Sequence, residues 1–412
     1  MALVALIAAS EPLDDGSMLR ALAPIAGETI IERQAAWALD AGAATLFVVV
    51  SAVPGELLQA LDRVRRRGAR VQVVRDAADL QSALQPTDRV LLVADGLVAP
   101  ASHYKALASG TLPALLVTAD TPLTQALERV DAAHRWAGLA VIPASSVAEL
   151  AALPGEWDMV LTLLRFAVQA GASRLICEPA LFGQGEISVV ADTATATQVE
   201  RVGIQQVEYG GMGMGRSLVT MPIVRLIGPK LVRSPRVIAA LPWLAGLCWL
   251  TALIAIGLGQ WLAAALAGVA GSLAMSGLRF LAAFRLENPA LERVRTALRT
   301  LSIILLALLP VGSALPGLWT APLSAGSVPL AAVAQGLCLA ATILLARWLF
   351  AEMAAGRQYH WLLPDADQAW LLLAPAAAAG APGPMLAALP LVTLLQILLW
   401  LRLAKRPQRP DR

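Results

Sequence analysis

Three long stretches of this chain, residues 237–278, 300–346 and 368–401, contain no Asp, Glu, Lys or Arg. The lack of charge excludes a water-facing surface along them. Each is about as long as two membrane crossings, since a spanning helix needs roughly 20 apolar residues. Aspartate is missing altogether between Asp192 and Asp365, and Glu287 and Glu292 alone do not supply the carboxylates that a conventional two-metal cage requires. Only three cysteines occur, Cys177, Cys248 and Cys338, without metal-ligand or redox spacing, which excludes a disulfide framework. The apolar opening ALVALIAA lacks a basic leader and soon meets Glu11, Asp14 and Asp15. It reads as a buried first strand rather than a signal peptide.

Cations crowd between the uncharged stretches. Arg225, Lys230, Arg233 and Arg236 precede the first expected span, and Arg279, Arg285, Arg293, Arg295 and Arg299 follow the second. Arg347 and Arg357 follow the fourth, and Arg402, Lys405, Arg406, Arg409 and Arg412 the sixth. Turn-rich neutral breaks fall at 257–260, 316–327 and 380–384. Cytoplasmic loops collect Lys and Arg, so the expectation is six spans in a bacterial-type inner (plasma) membrane, with both termini cytoplasmic. The first 220 residues carry 16 basic and 23 acidic side chains, the remainder 16 and 6. The excess cations therefore sit beside the spans, where membrane lipids are the expected anionic partner and nucleic acid is not. Trp243, Trp249, Trp261, Trp319 and Trp348 near span ends read as interfacial anchors, and Gln260, Gln335 and Gln396 as interhelical hydrogen-bonding groups.

Residues 1–205 alternate β-branched runs with amphipathic stretches, the pattern of a mainly parallel sheet covered by helices on both faces. Strands are expected at 3–8, 45–51, 70–74, 89–94, 114–118, 136–142 and 187–190, and helices at 28–41, 55–67 and 157–170. Such folds bind ligands beyond the carboxyl ends of their strands, which directs attention to the loop 10–20 and to Asp95. His134 reads as a surface histidine entering a strand, and His103 has no partner at readable spacing.

The segment Leu22–Arg33, LAPIAGETIIER, resembles the stretch after the signature loop in sugar-phosphate nucleotidyltransferases, and Leu91–Gly96, LLVADG, resembles the strand ending in that family's magnesium-binding Asp. The resemblance covers roughly the first 100 residues. It implies a Rossmann-type α/β nucleotidyltransferase-like fold, with nucleotide-binding roles for Gly16, Arg20 and Asp95, and Asp95 as the metal ligand. The loop Ala9–Arg20, ASEPLDDGSMLR, departs from the family pattern. One glycine remains, Arg20 stands about where the family has lysine, and Glu11, Asp14 and Asp15 would repel a polyphosphate by an energy on the order of kcal/mol at surface dielectric.

Residues 206–236 read as a glycine-rich linker, Tyr209–Gly215, and an interfacial basic helix; 237–402 as the six-span domain; and 403–412 as a basic cytoplasmic tail. This order of domains resembles bifunctional enzymes that join an inositol-phosphate cytidylyltransferase to a CDP-alcohol phosphatidyltransferase. That membrane family sets four Asp in D-x-x-D-G-x-x-A-R and G-x-x-x-D-x-x-x-D. Placing Phe284-Arg285 on its Ala-Arg pair puts Gly277, Phe280, Leu298 and Ser302 at or near the Asp positions. Arg285 is then left as a lipid-phosphate contact. The resemblance implies a non-catalytic or altered relative in polar-lipid headgroup metabolism, partnered by an active paralogue or a second copy. The alternative is an active transferase using Mg2+ through Asp95 and Arg20, or through Glu287 and Glu292.

Overall fold

The computed structural model describes residues 2–25, 27–154, 157–206, 213–284, 289–314, 330–353 and 357–404. The chain divides into two compact units, Met1–Gln206 and Val207–Arg412.

In the first unit the strands are β1 (Leu3–Ala8), β2 (Pro24–Ile25), β3 (Glu28–Thr29), β4 (Ala43–Val49), β5 (Val71–Val74) and β6 (Arg89–Val93), followed by β7 (Leu97–Val98), β8 (Ala114–Ala119), β9 (His134–Pro143), β10 (Ser173–Ile176) and β11 (Ser188–Val189). Seven of them form one sheet in the order β10-β8-β9-β6-β1-β4-β5. Most neighbours are parallel; β9 runs antiparallel to both β6 and β8. Alternation along each strand divides the core in two, with Ala5, Ile7, Leu91 and Val93 on one face and Val4, Leu6, Val90 and Leu92 on the other. Both faces need cover, as in parallel sheets generally.

Helices provide it. On the Ile7 face lie α1 (Ile30–Asp40), α2 (Gly55–Arg66) and α4 (Ala101–Ser109), which bury Ile31, Leu57, Leu61 and Tyr104. On the Leu6 face lie α3 (Ala77–Ala83), α5 (Ala144–Ala151) and α6 (Met159–Gln169), which bury Leu80, Val147, Leu163 and Leu164. Each such fully buried aliphatic side chain contributes about 1.5–3 kcal/mol. Two shorter elements complete the unit, α7 (Ala180–Gly183) and α8 (Thr193–Gln206). The expected strand at 187–190 is present but leaves the main sheet, pairing as β11 with β7 instead.

The second unit is helical: α9 (Met221–Arg233), α10 (Pro235–Gly257), α11 (Trp261–Phe284), α12 (Pro289–Ala314), α13 (Leu330–Glu352), α14 (Ala366–Ala378) and α15 (Pro382–Ala404). Of these α10, α11, α12, α13 and α15 are long and apolar enough to cross a membrane. The remaining expected span is α14, whose 13 residues extend about 20 Å against a hydrocarbon core of about 30 Å. Turns with positive φ at Gly259 and Gly380 close two of the hairpins where neutral breaks are expected. The third break, 316–327, lies outside the described residues, as do Arg285 and Glu287.

Trp249 is not an interfacial anchor. It is 1% exposed, with its ring 5.8 Å from that of Trp370, because Gly271 and Gly268 on α11 leave room for the two indoles. Trp243, by contrast, is 81% exposed.

Candidate functional site

Beyond the carboxyl ends of β1, β4 and β6 opens a cleft of about 870 Å³, lined by Arg20, Asp95, Arg75, Glu128, Trp136 and Trp157 among others. Its position is the one that an open α/β sheet prescribes for a ligand.

Asp95 follows β6 and is 7% exposed. Its Oδ2 accepts hydrogen bonds from the backbone N–H of Ser10 at 2.7 Å and of Glu11 at 2.8 Å. Burial pushes this carboxyl up to about 6, reinforced by the charge of Glu11, while the two amides and Arg20 pull the other way. The turn carrying it is fixed from α1. Gln34, fully buried, donates its Nε2 hydrogens to the carbonyls of Ala94 and Leu97, both at 2.9 Å. Gly96 adopts φ +68°, and a Cβ there would stand 2.7 Å from the Val190 carbonyl oxygen, so the turn tolerates glycine alone.

The loop before Arg20 is closed on itself. Leu13 N–H donates to Met18 O, Gly16 N–H to Leu13 O and Arg20 N–H to Glu11 O, while Asp14 N–H reaches Ala191 O. Ser17 N–H binds Asp15 Oδ1 at 2.9 Å. With the amides of Ser10 and Glu11 on Asp95, seven backbone donors of this loop have partners inside the protein. A phosphate cradle needs such donors free and converging. Gly16, at φ +68° with open space around it, serves a tight turn.

The side chain of Arg20 is likewise engaged. It binds the Glu11 carboxylate through Nη1, Asp14 Oδ1 at 3.4 Å through Nη2, and the Pro12 carbonyl at 3.2 Å through Nε. Thus Arg20 and Asp95 do meet at the cleft, with Gly16 on the same loop, but the guanidinium is engaged by Glu11, Asp14 and Pro12 and seven of the loop's amides already donate within the protein. Helices α3 and α6 also open on the cleft, and each N-terminus is capped by its own carboxylate, Asp76 on the Asp79 amide and Asp158 on the Leu161 amide, at 2.8 Å in both cases. Altogether Glu11, Asp76, Asp95, Glu128 and Asp158 face two guanidiniums, Arg20 and Arg75.

Asp95 Oδ2 is already taken, and Oδ1 is sealed from solvent without a partner. No group of three or more His, Cys, Asp or Glu suited to a metal occurs among the described residues. The role of Gln34 escaped sequence reasoning; a lone Gln on an otherwise amphipathic helix carries no spacing signal. His134 enters β9 as expected, with its Nδ1 3.1 Å from Asp131 Oδ1.

No family model matches the chain, and no curated protein is similar to it. Among solved structures the chain is similar to a nucleotidyl transferase from Methanothermobacter thermautotroptrophicus, with 19% identity and a TM-score of 0.34 over 48% of this chain and 96% of that one. It is also similar to the inositol-1-phosphate CTP transferase from T. maritima, with 15% identity and a TM-score of 0.38 over 49% of this chain and 96% of that one.

Proposed function

We propose that this chain is a membrane-embedded relative of nucleotidyltransferases whose cleft has lost triphosphate chemistry, and that it acts as an accessory or lipid-binding subunit in polar-lipid headgroup metabolism. The observation that carries this reading is the closed loop: the amides of Ser10, Glu11, Leu13, Asp14 and Gly16 donate within the protein. Arg20, the one basic side chain of that loop, is held by Glu11 and Asp14. The surplus of carboxylates around the cleft supports it further, since partly desolvated like charges repel by energies on the order of kcal/mol. The second unit supports a membrane setting through its five long apolar helices. Its likeness to CDP-alcohol phosphatidyltransferases is one of domain order, without the four aspartates that family uses. An active paralogue or a second copy of this chain would then supply the catalytic groups, in a plasma membrane of bacterial type.

The test is calorimetry of the full chain in an uncharged detergent with CTP and magnesium. Affinity weaker than about millimolar is expected. Micromolar binding that Asp95→Ala abolishes would establish a working nucleotide site and sink the proposal.

A further inference from the structure

Helix α9, Met221–Arg233, has two apolar sides. One is packed. Met221 and Val224 are buried, as is Thr220 on the π-helical turn Arg216–Thr220 just before the helix, and Gly228 lies so close to α11 that a Cβ there would stand 2.6 Å from the Phe280 ring. The other side is bare: Leu226 is 81% exposed, Ile223 39% and Ile227 41%, and Leu218 on the preceding turn is 60% exposed. Among residues 221–229 Arg225 is the only charge, and Lys230, Arg233 and Arg236 follow in the last turn of α9 and the first of α10. A helix resting on a membrane surface carries a strongly polar face toward water, whereas one apolar on opposite sides is enclosed by protein or by lipid.

Both ends of α9 are tied to one side of the helical unit. Ahead of it, Arg216 N–H donates to Asp365 Oδ2 at 2.9 Å and the Thr220 hydroxyl to Asp367 at 3.3 Å, so α9 begins beside the start of α14. The hydroxyl of Ser276, in the later half of α11, reaches the same Asp367 oxygen at 3.4 Å. Behind it, Ser234 leads straight into α10. Helices α10 and α11 are joined by the turn at Gly259 and pack along each other, which sets the start of α10 beside the end of α11. A helix of 13 residues that starts and finishes on one side extends about 20 Å along that side. It does not cross the bundle.

We propose that α9 lies along one face of the bilayer, sunk below the headgroups, with the acyl chains of membrane lipids covering Leu218, Ile223, Leu226 and Ile227 and with its cationic end at headgroup level. The neighbouring surface favours this occupant. Helix α9 touches α10, whose own exposed residues Val237, Trp243, Leu244 and Leu247 are apolar on a helix long enough to cross a membrane. The cations at 230, 233 and 236 stand where long basic side chains reach out to lipid headgroups. This placement departs from the basic surface helix that the sequence suggests. It rests on the membrane setting of the second unit and not on the state of the cleft.

The experiment attaches a nitroxide in turn to Ile223→Cys, Leu226→Cys, Arg236→Cys and Leu247→Cys in the full chain, with Cys177, Cys248 and Cys338 replaced by alanine. The labelled positions are exposed, so the label displaces no packing. The protein is held in vesicles of phosphatidylcholine and phosphatidylglycerol, and collisions with oxygen, which concentrates among acyl chains, are compared with collisions with a water-soluble nickel chelate. Labels at 223 and 226 should meet oxygen more than nickel, as the label at 247 on α10 does, and the label at 236 should meet nickel more than oxygen. Nickel predominating at 223 and 226 while oxygen predominates at 247 would leave α9 on the surface and overturn the proposal. An immobilised label at 226 that neither reagent reaches would mean that protein, a second copy or the first unit, covers this side, and would overturn it equally. Oxygen predominating at 236 would overturn the placing of the cationic end. Nickel predominating at 247 as well would remove the membrane setting itself, and the proposal with it.

Discussion

The carboxylate of Asp95 and the backbone amide of Ser10 lie 2.7 Å apart across 85 positions of sequence. This bond ties the end of β6 to the end of β1 and makes a buried acid part of the loop's scaffold. It also leaves the first unit with a buried carboxyl held well above the ordinary aspartate range.

An unfolded Asp titrates near 3.9, and burial holds Asp95 at about 6 in the folded protein. The folded state therefore favours the protonated form. The stability that this group contributes is fully present below about pH 4 and is lost as pH rises through 6, by about 3 kcal/mol at most. Asp95→Asn keeps an oxygen for the Ser10 and Glu11 amides and removes the titration. Scanning fluorimetry of the full chain from pH 4.5 to 7.5 should show the variant gaining several degrees on the unaltered protein as pH rises. Parallel curves for the two proteins would show that Asp95 does not titrate in this range.

Gly336 on α13 packs so closely on α12 that an added Cβ would run into the Ala307 carbonyl oxygen. A backbone atom cannot swing aside as a flexible side chain can. Gly336→Ala should therefore destabilise the helical unit by about 1–3 kcal/mol, in spite of alanine's better helix propensity. Gly383→Ala, where the same methyl meets open space, should be close to neutral. Thermal unfolding in detergent distinguishes the two, and equal melting temperatures would contradict the close packing.

Reporter fusions at Gly259 and Gly380, the two turns with positive φ, should both lie outside, and a fusion at the C-terminus should lie inside. A phosphatase and a fluorescent-protein reporter read opposite sides. A cytoplasmic signal at Gly380 would show that the α14–α15 hairpin enters from the other face.

Much of the sheet is legible in the sequence because each strand is a short β-branched run bounded by turn residues; β1 occupies the expected 3–8, and 89–94 becomes β6 at Arg89–Val93. Strand β10 was not legible. It lies exposed along its whole length at the sheet edge, so burial impressed no apolar run upon it. The cleft's acidic character could be read from Glu11 and Asp14, but not the closure of its loop, which depends on backbone partners such as Ala191 O, remote in sequence. Asp365 and Asp367 carry no readable spacing signal in the sequence. Their burial against Arg216, Thr220 and Ser276 arises from tertiary packing between segments up to 149 positions apart.

The hairpin of α14 and α15 has unequal arms, about 20 and 34 Å by their lengths of 13 and 23 residues. Gln396 on the long arm binds Gln368 near the start of the short one, at 3.2 Å. The remaining turns of the long arm lean on the short helix Arg357–Leu362 instead, through Trp400, Leu362 and Leu363. The first residues of α14 are buried among protein, so its length is released from any match to bilayer thickness. In thinner or thicker bilayers the five long helices would absorb the mismatch by tilting, while the start of α14 keeps its depth relative to the protein rather than to the lipid.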